Sequence, residues 1–383
     1  MLEITFWTLL GLVAYVYAGY PVLLFILARF NRLKKSDLVD HAGDRPTISL
    51  LISAFNEEDC IAEKLENSLA LDYPGDRINI VVISDASDDK TDSIVERFAG
   101  QNISLLRMTE RGGKTLGLNA AIERSVADII IFSDANAHYQ SGAVKALTAP
   151  FADASVGAVV GESSYVDAES GSGQSESLYW RYETAIKYWE SASGSVVGGD
   201  GAIYAVRRAL YRPMAAADLS DFVNPLEVVR AGSRCVYEPS ALSYEDTAEN
   251  YSKEYRRKVR IVNRAWRALW KMRGMLNPLH FGYFSVKLWS HKVLRWLVPV
   301  FLGALLFLNL ILFTKTAVYA VTLMGQLVFY ACAFIGYTKR RRHEQPAVFR
   351  IPYYFCLVNF AAAVGLIELL SGKTYTTWKT ART

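Results

Sequence analysis

The sequence predicts an α/β domain on a mostly parallel sheet, carried between membrane-spanning helices. Three observations predict it. Long apolar runs, nearly free of charge, sit near both ends of the chain. Between roughly 45 and 275, strand-like runs alternate with helical ones, the pattern of parallel strands joined by right-handed crossovers. Polar residues gather just after the strand-like runs, where open α/β sheets bind ligands.

The apolar ends come first. Hydrophobic residues make up 51% of the 383 positions, high for a soluble enzyme. The net charge of +4 is mild and gives no reason to expect a nucleic-acid partner. Basic residues instead cluster beside apolar runs, as on the cytoplasmic side of membrane proteins. Cys60, Cys235, Cys332 and Cys356 are far apart, form no metal or redox spacing, and are expected to be reduced.

An N-terminal membrane helix is expected within residues 1–30, because residues 4–28 carry no charge and can span a bilayer. The run is too long for a cleavable signal and no basic region precedes it. Arg29, Arg32, Lys34 and Lys35 follow, which places the N-terminus outside and the next domain in the cytoplasm. Residues 276–292 mix aromatics with His280, Lys287 and His291 and fit an interfacial amphipathic helix. A C-terminal membrane region over 293–372 follows. Residues 293–313 and 317–337 form a helical hairpin that Lys339–Arg342 returns to the cytoplasm. Residues 351–370, with Asn359 and Glu368, suit a further span or an interfacial, re-entrant segment equally. Residues 373–383 form a basic tail.

The central domain opens with ISLLISA (48–54), then the helical NEEDCIAEKLENSLA. INIVVIS (78–84) leads to DASDD and a helix near 90–98. ISLLRM (103–108) leads to RGGK and the helix TLGLNAAIERS. IIIF (129–132) is a buried strand that ends in SDAN. No G-x-G-x-x-G follows the first strand, which argues against a classical dinucleotide site.

Asn56 and Glu57 end the first strand, Asp85 the second, and Asp134 and Asn136 the fourth, while Lys114 follows the turn after the third. Each alone has a plainer reading: Asp85 as a helix cap, Asp134 and Asn136 as turn residues, Lys114 as a surface charge. Four strand ends in one crevice favour a ligand. Carboxylates and amides there can hold a hard cation such as Mg²⁺ or Mn²⁺, and a lysine beside glycines can meet phosphate.

The ordered set SAFNEE, VVISDASDD, RGGKTLGLNAA, FSDANA, GGDGAIYAVRR, DLSDFVNPLEVVRAGSRCVYEPSALSYE and EYRRKVR resembles the family 2 glycosyltransferases of GT-A fold, specifically their membrane-embedded bacterial branch related to polysaccharide synthases. The resemblance covers about 45–265 and implies a Rossmann-like, mostly parallel α/β cytoplasmic domain with one N-terminal and two or three C-terminal membrane helices. It implies an inverting transfer of a hexosyl or N-acetylhexosaminyl group from a nucleotide-sugar, a UDP-sugar by preference. The acceptor would be lipid-linked or a polysaccharide, at the cytoplasmic face of the bacterial inner membrane.

Residue by residue, the resemblance places Ala54, Asn56, Glu57 and Asp85 in the nucleotide pocket, Asp85 near base or ribose, with Lys114 helping to hold the nucleotide. Asp134 would bind a divalent metal, with Asn136 where a second acid is usual. Asp221 matches the catalytic base, with Asp218 as its competitor and a helix cap as the plainer role. Gly199, Asp200 and Gly201 match an acceptor loop. Arg260 matches the arginine of a Q-x-x-R-W motif and can pair with the diphosphate. Arg257 stands in place of the glutamine and Ile261 in place of the tryptophan. The same basic helix could lie on acidic lipid heads. The altered motif and the few spans favour transfer of one or a few sugars. A processive exopolysaccharide synthase is the runner-up, needing several copies or an export partner for a path through the bilayer.

Overall fold

The structure, a computed structural model, describes residues 1–30, 45–165, 171–245, 251–340 and 345–377, and of residues 165 and 171–178 the backbone alone. The chain forms two compact units: Met1–Leu27 with Asp167–Ile186 and Thr247–Thr374, and Ala28–Val166 with Lys187–Asp246 and Tyr375–Thr383. This grouping cuts across the expected 45–275 domain, setting part of a long helix and Tyr251–Lys271 with the apolar helices.

The second unit is built on one eight-stranded sheet. Its strands are β1 (Ile48–Ala54), β2 (Ile78–Ser84), β3 (Ile103–Arg107), β4 (Ile129–Asp134), β5 (His138–Tyr139), β6 (Val156–Tyr165), β7 (Tyr204–Arg207) and β8 (Arg234–Glu245). Their order is β3-β2-β1-β4-β7-β6-β8-β5. β3, β2, β1 and β4 run parallel; β7 is antiparallel to both β4 and β6. The parallel strands are the apolar runs expected from sequence. All seven residues of β1 are buried, as expected of a strand covered on both faces. At the junction with β7, Phe132 stacks flat on Tyr204, ring centroids 4.3 Å apart, a cross-strand pair.

Chain order reverses beside β1: β2 and β3 lie on one side of it and β4 on the other. Such a reversal opens a crevice at the carboxyl ends of the strands. Helices Ile61–Leu69, Thr91–Glu96 and Lys114–Arg124 follow β1, β2 and β3.

Among the described residues, four helices are long and apolar enough to cross a membrane, all or nearly all of each in the other unit: Leu2–Phe30, Tyr283–Leu312, Ala317–Thr338 and Ala347–Leu370. Tyr283–Leu312 is continuous, so most of the interfacial helix expected over 276–292 runs directly into the following apolar helix. Of its basic residues, Lys287 and His291 are buried and His280 is exposed. His291 Nε2 lies 3.2 Å from Glu183, which also pairs with Arg295. The Arg295 guanidinium lies 5.3–5.9 Å from the rings of Tyr17, Tyr179 and Tyr182. Arg32, Lys34, Lys35, Arg341, Arg342 and the tail from Trp378 onward lie outside the described residues.

Candidate active site

The loops after β1 and β2 are latched together. Asn56 donates from Nδ2 to Asp88 Oδ1 (2.5 Å) and accepts the Asp88 N–H on Oδ1 (3.0 Å). The Asn56 and Glu57 N–H groups donate to Ser87 and Thr91 hydroxyls. The latch demands unusual backbone: Asn56 and Ala86 have φ of +54° and +57°. Asparagine tolerates that region; alanine is strained there. Ala54 closes the base of the latch, its carbonyl accepting the Asp85 N–H (3.0 Å).

Asp85 is buried, and its carboxylate accepts the N–H groups of Gly112 and Gly113 at 2.9–3.0 Å. Asp85 therefore shapes the glycine turn that precedes Lys114. Gly113 has φ +88°, and a Cβ there would meet the Thr376 carbonyl at 2.2 Å. The tail segment Tyr375–Thr377 thus lies on the turn at this strand end. Nearby, the Arg111 guanidinium sits 3.5 Å from the Phe55 ring centroid.

Lys114 opens the helix Lys114–Arg124. Its ammonium is ion-paired to Asp134 Oδ1 and lies 3.3 Å from the Gly201 carbonyl. Asp134 is the last residue of β4. Gly201 is the meeting point: a Cβ built on it would lie 3.5 Å from Asp221 Oδ2, 3.7 Å from Asp134 Oδ2 and 3.7 Å from Lys114 Nζ. Four residues expected from sequence therefore converge, and a side chain at position 201 would fill the space they share.

Asp221 lies in the first turn of the helix Ser220–Arg230, whose N-cap is Leu219. It is not the capping residue, and it sits at the positive end of the helix. Its carbonyl accepts the Gly199 N–H at 2.6 Å, which ties the glycine loop to this helix. Asp218 is engaged elsewhere: Oδ2 accepts the Ala215 N–H (2.9 Å) and its carbonyl accepts the Thr115 hydroxyl (2.9 Å). Asp200 lies 3.9 Å from the buried Lys187 ammonium. Arg257 and Arg260 lie on Tyr251–Lys271, in the other unit; there Arg257 pairs with Glu254 at 2.8 Å.

Two contributors escaped the sequence analysis. Lys64, fully buried on Ile61–Leu69, donates to the Ala137 carbonyl and lies 4.0 Å from the Tyr139 ring centroid. Burial brings its ammonium down to about 7, against the pull of Asp134. Asn67, one turn on, exchanges hydrogen bonds with the Tyr139 N–H and carbonyl at 2.8 Å. Together they hold the turn that carries Asp134 and Asn136. The available signal was position: Lys64 shares the buried face of Ile61, Leu65 and Ser68.

A mostly parallel, Rossmann-like sheet with acids at its strand ends is the GT-A fold, and among the described residues four helices are long and apolar enough to cross a membrane. Residues 49–215 match the family model described as Glycosyl transferase family 2. A beta-monoglucosyldiacylglycerol synthase of Synechocystis sp. is 30% identical over 119 residues, 30% of this chain and 25% of that protein. A poly-beta-1,6-N-acetyl-D-glucosamine synthase of Staphylococcus aureus is 25% identical over 244 residues, 61% of this chain and 57% of that protein. The chain thus spans little more than half the length of the curated relatives it matches, or less. A mannosyltransferase of Pyrobaculum calidifontis, solved with GDP-Man and Mn²⁺, shares the fold: TM-score 0.73, 21% identity, 97% of this chain and 100% of that one.

Proposed function

We propose that the chain is an inverting, metal-dependent glycosyltransferase that moves a sugar from a nucleotide-sugar, a UDP-sugar by preference, to a lipid-linked or polysaccharide acceptor. It would work at the cytoplasmic face of a bacterial inner membrane. The observation that carries this reading is the convergence of Asp134, Lys114 and Asp221 on the bare Cα of Gly201. A donor's diphosphate and anomeric carbon need such a space, with a base on one side and positive charge on the other.

The residues present fit a divalent cation. Asp134 turns Oδ2 toward the shared space, and the residue two on, Asn136, has an amide oxygen that could join it; hard cations take such donors. Bound there, Mg²⁺ or Mn²⁺ would stabilise charge on the leaving diphosphate. The chain's own groups do the rest. Asp221 accepts the proton of the acceptor hydroxyl as its oxygen attacks the anomeric carbon and the sugar–phosphate bond breaks. An α-linked donor then yields a β-glycoside. Lys114 meets the diphosphate charge, and Asp85 sets the glycine turn that presents Lys114. Asn56 and Glu57 shape the nucleotide end through the latch, and the Gly199–Gly201 loop admits the acceptor.

The test is nucleoside diphosphate release by the detergent-purified chain from a panel of UDP- and GDP-sugars, with Mg²⁺, Mn²⁺ or EDTA. Release from one donor is expected, abolished by EDTA and in Asp134→Ala and Asp221→Asn. Pyrophosphate release would mark a nucleotidyltransferase instead. No release from any donor, with a membrane lipid extract supplied, would sink the enzymatic reading. The Staphylococcus relative keeps processive polymer synthesis as the second reading. A polymeric product would select it, and an organic-phase product the lipid acceptor.

A further inference from the structure

We propose that Lys114 makes cation binding at Asp134 conditional on a nucleoside diphosphate, so that the two ligands bind as a pair and each binds weakly alone. The inference rests on the glycosyltransferase reading above. It follows from charge. Only one of the two expected metal-binding positions is an acid, because Asn136 is neutral. That single acid, Asp134, is ion-paired to Lys114, whose side chain is largely covered. Lys64 acts on the same carboxylate from behind, through the turn it holds. Asp221 supplies the other negative charge facing Gly201.

At the shared space, Lys114 therefore offsets the one acid of the expected metal-binding pair. A divalent cation entering alone meets the Lys114 ammonium at Asp134, and like charges at contact distance repel strongly where water is partly excluded. A diphosphate entering alone meets Asp134 and Asp221. The doubly charged cation and the two negative charges of a nucleotide-sugar's diphosphate cancel, so the pair leaves the local balance unchanged. Lys114 can then turn from Asp134 to a phosphate oxygen. Coupling of this kind is reciprocal: whatever factor the nucleotide adds to cation affinity, the cation adds to nucleotide affinity.

Lys114 should thus have opposite effects on the two ligands taken singly, which a folding defect cannot mimic. The experiment measures Mn²⁺ alone by electron paramagnetic resonance, and UDP and GDP alone in EDTA by equilibrium dialysis. The full chain in detergent is compared with Lys114→Met and Lys114→Arg, thermal unfolding serving as the folding control. Lys114→Met is expected to bind Mn²⁺ about ten-fold tighter and nucleoside diphosphate about ten-fold weaker, within the usual range of coupling between sites. Lys114→Arg keeps the charge and should stay near the parent on both. The tightened Mn²⁺ binding should vanish in Lys114→Met/Asp134→Asn.

Unchanged or weaker Mn²⁺ binding by a folded Lys114→Met chain overturns the proposal. So does tightened binding that survives Asp134→Asn, since the cation would then sit elsewhere. In either case, parent chain that still releases nucleoside diphosphate leaves the transferase reading standing. Parent chain that neither binds UDP or GDP nor turns over any donor overturns both.

Discussion

Two pairs of carboxylates, one pair in each unit, are handled in opposite ways. In the unit of the apolar helices, Glu254 and Glu183 are buried and matched. Glu254 is 2% exposed, paired with Arg257 and Lys258, and accepts the Tyr354 hydroxyl. Burial alone would raise it, yet Arg257 and Lys258 bring its carboxyl down to about 2. Glu183 likewise, though buried, is held well below the usual range by Arg295 and His291. In the sheet unit, the Asp134 side chain is 38% exposed, and with Asp221 it turns an oxygen toward a glycine. A buried acid must be paired to remain charged. An acid meant for a ligand is left facing a space. Partner geometry, more than the presence of an acid, separates a structural carboxylate from a working one.

The comparison breaks if the two kinds respond alike to substitution. Removing the base with Asp221→Asn should lower turnover by roughly 10²–10⁴-fold while leaving the unfolding temperature in place. Arg295→Met should do the reverse, destabilising the chain by about 3–5 kcal/mol because Glu183 loses its main counter-charge in a buried setting. Thermal unfolding and turnover of both variants decide it. A stable Arg295→Met chain would mean the buried pair is dispensable.

Gly201→Ala sharpens the sheet side. Its methyl makes only ordinary contacts at 3.5–3.7 Å, so the chain should fold. The methyl would still occupy the space between Asp134, Lys114 and Asp221, and donor turnover should fall at least roughly ten-fold, since small misplacements at a reacting centre are costly. Full activity would place the reacting centre elsewhere.

Acid titration sharpens the membrane side. The folded-state pKa of Glu254, about 2, lies below its ordinary 4.5. Its stabilisation is therefore fully present above about pH 4.5 and is lost as pH falls toward 2. Glu254→Gln should be less stable than the parent near neutral pH, and the gap should close across that window. A gap that stays constant with pH would show that shape rather than charge is what the position supplies. The smallest effect belongs to Ala86→Gly: relieving a positive φ of +57° should raise stability by about 0.5–1 kcal/mol. No gain would mean that the extra freedom of glycine in the unfolded chain offsets it.

Much of the parallel half was legible. β1 and β2 match their predicted runs residue for residue, because a strand covered on both faces is an unbroken apolar run with abrupt polar ends. Strand-end placement brought out Asp134 and Lys114 for the same reason. The two strands that pair antiparallel with their neighbours were not legible: β7 has four residues and β5 two, too short for any periodicity. Lys64 was passed over because a lysine on an apolar helix face gives no sign, in one dimension, of the carbonyl it will meet. Tyr283–Leu312 was divided because His291 and Lys287 look solvent-facing until the partners that cover them are in place.

The sequence by itself determined the α/β alternation, the apolar segments near both ends of the chain, and the polar residues that follow the parallel strands. Burial and periodicity are local properties of a chain, and they write themselves into consecutive residues. Tertiary structure alone decided that Gly201 is where Asp134, Lys114 and Asp221 meet, that Asp218 is engaged in its own turn, that Asp85 holds the glycine turn, and that Thr376 lies on Gly113. Apart from the local turn of Asp218, those are contacts between residues separated by tens to hundreds of positions. Their geometry is set by how strands order in the sheet, which no local pattern encodes.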